Sequence, residues 1–463
     1  MPRPDANPLP DRRRATPTVA VMPRPQPPVT SLLTDQYELT MVEAALRSGA
    51  AQRRSVFEVT ARRLPAGRRY GVMAGIDRLL AAIGRFRFDE EELDHLGAAG
   101  IVNAETLTFL AGYRFSGHIW GCQDGEVYSP DTPLLVVEGS FAEAVVLETL
   151  VLSVLNHDCA IAAAASRMVS AAGGRPLIEM GSRRTHEMAA VDGALAAYIC
   201  GFDGTSNLEA GRRYGVPTLG TSAHSFTLAH DTEREAFAAQ VAALGSGTTL
   251  LVDTYDVADA VATAVEVAGP GLGAVRLDSG DLLALAFDVR AQLDELGNVD
   301  TRIVVTGDLD EYAIAALAAA PVDSYGVGTS LVTGSGAPTA GLVYKLVARA
   351  VDGDPGAPVE AVAKRAPGKP SRGGRKTVWR RLAGSGRGVA DVVRVLDAAE
   401  PSDAIAAGGP GRPLLVPLMR EGQPVWTPGT AESRKHHEEA MAQLPAHARQ
   451  LSPGDPALPT LIT

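Results

Sequence analysis

The chain of 463 residues carries 43 Lys plus Arg against 54 Asp plus Glu, a net charge of −11 with histidines neutral, which excludes nucleic-acid binding through a dominant basic surface. At 46% hydrophobic and 21% charged it has the apolar content for two or three domains with buried cores, and most of it is not intrinsically disordered. Cys122, Cys159 and Cys200 lie far apart with no C-x-x-C spacing, which excludes a disulfide scaffold and a zinc ribbon and fits a reducing cytoplasm.

Residues 1–30 are rich in proline and arginine and have no apolar run long enough for a secretory signal after Arg12, Arg13 and Arg14, so they read as a flexible tail without chemistry. Residues 31–160 read as an α+β domain. Leu39, Val42 and Leu46 fall at helical spacing, SVFEVTAR is strand-like, and Ile76, Leu79 and Leu80 mark a second helix. Between Phe115 and Val137 short apolar runs alternate with the turn signals QDGE and SPDTP, a small β layer. The apolar stretch at 144–155 carries Glu148 and falls short of the ~20 residues a membrane span needs, so no bilayer crossing is expected.

Residues 161–350 repeat a unit of short apolar strand, polar loop and Ala-rich helix. RPLIEMGSRR, VPTLGTSAHS, TTLLVDTYD, GAVRLDSGD and TRIVVTGD each lead into a helix, and VDSYGVGTS closes the series. This predicts a parallel sheet, with open doubly wound and closed barrel forms inseparable by periodicity. Either way the polar loops sit at the ends of strands where active sites are built. Leu282, Leu285, Ala286, Val289 and Leu293 share one helix face, with Ser279 as its expected N-cap. Residues 351–463 include PGKPSRGGRK and a helix pattern near 431–443, and read as a peripheral segment packing back on the barrel and the first domain.

Two loops look built for phosphate. In IVVTGDLDE the strand stops at Thr306, and Gly307 and Asp308 precede a helix start; in SYGVGTS, Gly326 and Gly328 bracket a turn before Thr329 and Ser330. One such loop is as often a structural turn as a ligand site, whereas two in succession resemble a barrel phosphate cradle. Neither matches GxxxxGK[ST], and no GxGxxG opens a helix, so P-loop and Rossmann chemistry lack their signatures.

In VRLDSGD, Arg276 and Asp278 alternate about Leu277 and share a face, where a guanidinium can fork onto a ligand carboxylate and a carboxylate can hold ribose hydroxyls; Ser279, Gly280 and Asp281 follow. The blander reading is a structural Arg–Asp pair with helix caps. GTSAHSF sets His224 at a helix start beside Thr221 and Ser222, placed to act as nucleophile or base, or else as a satisfied structural histidine. EMGSRR ends a strand on Glu179 and Met180, then Arg183 and Arg184, of which one is expected buried against an anion and one exposed.

Together these segments resemble the nicotinate phosphoribosyltransferase family. The resemblance rests on LLTDQYELTM at 32–41, EMGSRRTHE at 179–187, YICGFDGTSNLEAG at 198–211, GTSAHSF at 220–226, VRLDSGDL at 275–282, VTGDLDE at 305–311 and YGVGTSLVT at 325–333. It implies a type II phosphoribosyltransferase: an irregular β/α barrel with an α+β N-terminal domain, working as a homodimer with shared sites. The implied substrates are nicotinate and phosphoribosyl pyrophosphate, with ATP as co-substrate and Mg²⁺ bound mainly through pyrophosphate. The implied roles put Tyr37 on the ring in the partner's site, Arg276 on the nicotinate carboxylate and Asp278 on the ribose hydroxyls. Gly307, Asp308, Gly328 and Thr329 would hold the 5′-phosphate, Arg183 and Lys345 would face pyrophosphate, and His224 would be transiently phosphorylated. Two positions depart from or refine the pattern: Met180 replaces a ring-stacking Phe, and Ser206 stands where the nicotinamide-specific cousin has Asp, which favours an acid over an amide substrate. The competing readings are that cousin activity, a sugar-phosphate isomerase or aldolase using Lys345 as Schiff base, and a catalytically silent metabolite sensor.

Overall fold

A computed structural model describes residues 29–352, 357–364 and 372–463; positions 1–28 of the expected tail and the first half of PGKPSRGGRK lie outside the described residues. Two sheets carry the architecture. The first has seven strands, ordered Val359–Ala361, Leu342–Ala350, Arg54–Ala61, Pro133–Ser140, His118–Gly121, Val416–Arg420 and Gln423–Pro424, each paired antiparallel with its neighbour. Arg54–Ala61 is covered on both faces, so SVFEVTA reads as a nearly continuous apolar run rather than an alternating one.

The second sheet has six strands, ordered Gly204–Thr205, Leu177–Glu179, Ser324–Val327, Arg302–Val305, Ala274–Leu277 and Thr249–Leu251. All its pairings are parallel, and the sheet curls into a half-barrel, the irregular β/α barrel expected from the sequence. One expected strand is missing. VPTLG forms only an isolated bridge from Thr218 to Thr205, and the edge strand comes instead from GFDGT. Pro217 has no N–H to give a ladder; it offers only its carbonyl, which accepts from Thr205.

The helix Glu148–Ala172 ties the two halves together. Its first turns bury Leu150, Val151, Val154 and Leu155 in the first core, and its later turns bury Ile161, Ala162, Ala165 and Met168 in the barrel core. The boundary expected at 160 therefore falls within one continuous helix. The stretch Phe141–Ala172 is, contrary to the sequence expectation, long and apolar enough by length and composition to cross a membrane, and it is mostly buried in the protein. A helix clasped between two cores is apolar all round for that reason.

The end of the barrel segment also differs from expectation. Leu342–Ala350, placed with the barrel by sequence, pairs with Arg54–Ala61, and Tyr344 stacks on Phe57 with centroids 4.8 Å apart. A further sheet of four strands is built from Arg412–Pro413, Lys376–Leu382, Gly388–Val395 and Thr460–Ile462, and the expected late helix is Thr430–Gln443.

Candidate active site

The C-terminal tips of the parallel strands surround a cleft of about 460 Å³. Met180, Ser182, Arg183 and Arg184 follow the strand Leu177–Glu179, and Ser206 follows Gly204–Thr205. Beneath them Glu179 is fully buried, accepting from the Thr205 hydroxyl and the Gly181 N–H, so that one carboxylate pins both strand tips. Burial pushes its carboxyl up, and those two bonds oppose the rise.

Arg276 and Asp278 enter from the strand Ala274–Leu277 on the shared face their spacing predicted. They form no ion pair with each other among the described residues. Arg276 donates to the Thr221 hydroxyl, while its buried Nε has no partner. Burial lowers the basicity of this guanidinium and nearby Arg183 adds to the effect, partly countered by Asp278 and Asp253. A half-buried cation facing another cation is a place an anion stabilises. Both Arg183 and Arg184 are exposed along the cleft, rather than one buried and one exposed, on a turn that the Arg184 N–H closes onto the Gly181 carbonyl at 2.8 Å.

The two phosphate loops close the far side. Gly307, at φ 100°, lies so near the neighbouring loop that a Cβ would stand 2.2 Å from the Asp278 carbonyl oxygen. Asp308 follows in the left-handed region at φ 45°, and Gly328 and Thr329 start the helix Thr329–Val332. Among the described residues the N–H groups of Gly307, Asp308 and Gly328 have no backbone acceptor, which leaves donors for an anionic ligand.

His224 opens a helix of only five residues, His224–Leu228, so contacts rather than a helix dipole define its setting. Nδ1 lies 3.2 Å from Thr254 Oγ1, and Nε2 lies 3.9 Å from Asp253 Oδ1 and 4.0 Å from Asp278 Oδ2. Sequence reading missed Asp253. Its Oδ2 accepts from the Asp278 N–H at 3.1 Å and from Ser279 Oγ at 2.7 Å, and its buried Oδ1 has no partner. The signal was present: LLVD repeats the pattern of VRLD, an apolar strand ending directly on aspartate.

Four expected residues stand elsewhere. Ser279 does not cap the next helix, since Asp281 accepts from Ala284 N–H at 3.2 Å and the Ser279 hydroxyl is given to Asp253; Ser279 and Gly280 are exposed beside the cleft rather than lining it. Tyr37 and Lys345 lie outside the cleft lining but share one carboxylate. Lys345 Nζ is 3.6 Å from Glu148 Oε1, and burial, then Glu148, pushes the Tyr37 phenol up to about 12.

Residues 32–156 match the model of the nicotinate phosphoribosyltransferase (NAPRTase) N-terminal domain, and residues 176–354 that of the nicotinate phosphoribosyltransferase (NAPRTase) family. The chain is 57% identical over 437 residues to nicotinate phosphoribosyltransferase pncB1 of Mycobacterium tuberculosis, covering 93% of this chain and 94% of that one. The chain belongs to the nicotinate phosphoribosyltransferase family. Nicotinate phosphoribosyltransferase pncB2 of the same organism is 40% identical, covering 91% of this chain and 89% of that one. The solved structure of human nicotinic acid phosphoribosyltransferase superposes with a TM-score of 0.76 at 25% identity, over 93% of this chain and 97% of that one.

Within this nicotinate phosphoribosyltransferase fold, Met180 takes a defined place. A Cβ on Gly326 would come within 2.7 Å of Met180 Sδ, so the thioether lies directly over a glycine at the cleft floor. The Schiff-base alternative loses its lysine, because Lys345 belongs to the first sheet and, among the described residues, no lysine lines the cleft.

Proposed function

We propose that the chain joins nicotinate to phosphoribosyl pyrophosphate, giving nicotinate mononucleotide and pyrophosphate. The observation that carries this reading is the single cleft uniting Arg276, Asp278 and both phosphate loops. In the reaction the ring nitrogen supplies the electron pair for the new N–C1 bond, and the C1–O bond to pyrophosphate breaks with its pair leaving on oxygen. Arg276 forks onto the nicotinate carboxylate, Asp278 holds the ribose hydroxyls, and Gly307, Asp308, Gly328 and Thr329 cradle the 5′-phosphate. Arg183 and Arg184 meet the negative charge developing on the leaving group. Ser206, being neutral, leaves the acid substrate unopposed.

The reading extends to parts the chain holds apart. Tyr37, exposed outside the cleft, acts in the site of a second copy in a homodimer. ATP drives the reaction by phosphorylating His224: a ring nitrogen attacks the γ-phosphorus, the bond to ADP breaks, and the added charge organises the arginines beside it. Among the described residues no group of three or more His, Cys, Asp or Glu could hold a metal ion. Mg²⁺ is carried chiefly on pyrophosphate oxygens, where it neutralises leaving-group charge. The three buried, unpaired cysteines suit a reducing cytoplasm.

The test is an assay with nicotinate, phosphoribosyl pyrophosphate and Mg²⁺, followed by γ-labelled ATP. Nicotinate mononucleotide should form, nicotinamide should turn over poorly, and acid-labile, base-stable label should appear on the protein and vanish in His224→Ala. Faster turnover of nicotinamide would overturn the substrate assignment, and label persisting in His224→Ala would overturn the ATP step.

A further inference from the structure

Glu311 opens the helix Glu311–Ala316 three residues beyond Asp308, yet its side chain is only 2% exposed and faces two arginines. Arg68 Nη1 donates to Oε1 at 2.7 Å, Arg167 Nε donates to the same oxygen at 3.0 Å, and the Ser335 hydroxyl donates to Oε2. Burial alone would raise this carboxyl; the Ser335 bond and the Arg68 charge overcome it and hold the group ionised below its ordinary range.

Glu311 and Ser335 come from the two phosphate loops, Arg68 from the first domain and Arg167 from the helix Glu148–Ala172. One loop runs from Gly307 and Asp308 straight into Glu311. The other runs from Gly328 and Thr329 through the helix Thr329–Val332 to Gly334 and Ser335. Arg68 Nη2 donates to the Gly334 carbonyl at 2.8 Å, and the Ser335 N–H returns to the Ser330 carbonyl at 2.6 Å. Ser335 adopts φ 50°, a left-handed conformation uncommon for a side-chain-bearing residue, with its hydroxyl on Glu311. Arg68 itself belongs to the first domain, in the connection between Arg54–Ala61 and Gly71–Val72. One carboxylate thus ties the distal ends of two loops whose near ends form opposite halves of the phosphate cradle.

We propose that Glu311, fixed by Arg68 and Ser335, is a positioning residue that sets the spacing of the two loops and so the affinity for the ligand's 5′-phosphate, without touching that ligand. The inference rests on the function proposed above. Simple glue between the first domain and the barrel would stabilise the fold and leave ligand preference unchanged, whereas a spacer acts selectively on phosphate.

The experiment measures equilibrium binding of nicotinate mononucleotide and of its dephosphorylated riboside to the full-length protein, to Ser335→Ala and to Arg68→Lys, with Tm for each. Ser335→Ala leaves the buried Arg68–Glu311–Arg167 charges intact, which preserves folding. Wild-type protein should bind the nucleotide more tightly than the riboside. Ser335→Ala should weaken the nucleotide about tenfold and the riboside less than twofold, with KM for phosphoribosyl pyrophosphate rising in step and kcat unchanged. Arg68→Lys keeps the charge on Glu311 but cannot also reach Gly334, and should lose an intermediate factor. Parallel weakening of both ligands, or a lower Tm with both affinities unchanged, overturns the spacer and leaves glue. If wild-type protein does not distinguish nucleotide from riboside, the phosphate assignment of the loops fails, and the spacer with it.

Discussion

Two polar clusters in this protein treat their charges in opposite ways. Around Glu126 every charge is answered. Arg380, fully buried, donates through Nε to Asp391 at 2.8 Å, through Nη1 to Glu126 at 3.1 Å and through Nη2 to the Val127 carbonyl at 2.7 Å. Arg412 forks onto Glu126 at 2.7 and 2.8 Å, and His436 Nε2 lies 2.9 Å from the same carboxylate. Burial alone would raise the Glu126 carboxyl; His436, Arg380 and Arg412 reverse that and hold it far below the ordinary range. In the cleft, Arg276 Nε and Asp253 Oδ1 are buried without hydrogen-bond partners, and Arg183 and Arg184 are exposed side by side. An unmet buried polar atom costs about 1–3 kcal/mol, so the cleft is unfinished until a ligand completes it, while the Glu126 cluster is finished by folding.

The largest effect that would break this contrast concerns Arg380. Arg380→Met leaves Glu126 and Asp391 short of their shared cation and should cost about 3–5 kcal/mol of stability, as removal of one partner from a buried pair does. Because the cluster joins the sheet containing Lys376–Leu382 to the first domain and not to the cleft, KM for nicotinate below the melting range should stay within about twofold of wild type. Denaturant titration and steady-state kinetics check both halves. A stable variant with altered KM would show that the two clusters communicate.

Arg276→Ala is the reverse experiment. It should change stability little, since the guanidinium's one hydrogen bond is to the Thr221 hydroxyl. It should raise KM for nicotinate by about 10- to 100-fold, the value of a charge-assisted hydrogen bond of roughly 1.5–3 kcal/mol. The rise for phosphoribosyl pyrophosphate should be much smaller. Equal rises would move Arg276 from the carboxylate to a general electrostatic role.

The contrast also shows what sequence could reveal. The cleft residues were legible because each sits at a strand tip, where an apolar run ends abruptly on Asp, Gly or Arg: VRLD, VVTGD and LIEMGSRR. Asp253 obeyed the same rule and was overlooked beside the longer motifs. The Glu126 cluster was illegible, because Glu126, Arg380 and Asp391 are scattered over 266 positions and meet only through sheet pairing and domain packing. The helix that spans the expected boundary was illegible for a related reason. Periodicity reports a helix at 148–172, but not that its two ends serve different cores. Lys345 was misplaced because a nine-residue strand following the last barrel unit reads locally like one more unit, and only pairing with Arg54–Ala61 assigns it to the first sheet.

Glu38 lies between the two extremes and sharpens them. It is fully buried on the helix Gln36–Ser48 beside Tyr37, accepting from the Thr149 N–H at 2.9 Å and Oγ1 at 2.6 Å and from the Thr34 hydroxyl, with no cation among its hydrogen-bond partners. Burial raises its carboxyl to about 7, against the opposing Thr149 bonds. A folded-state value above the unfolded value of 4.5 means that protonated Glu38 contributes stability below about pH 4.5, which is lost as pH rises through 7. Glu38→Gln removes the titration, and its amide nitrogen can donate to the Thr34 hydroxyl. The variant should therefore gain on wild type by roughly 3 kcal/mol between pH 4.5 and 8. Paired Tm measurements at the two ends of that range decide it: a difference that does not change with pH would mean that three hydrogen bonds alone finish a buried carboxylate as fully as the arginines finish Glu126.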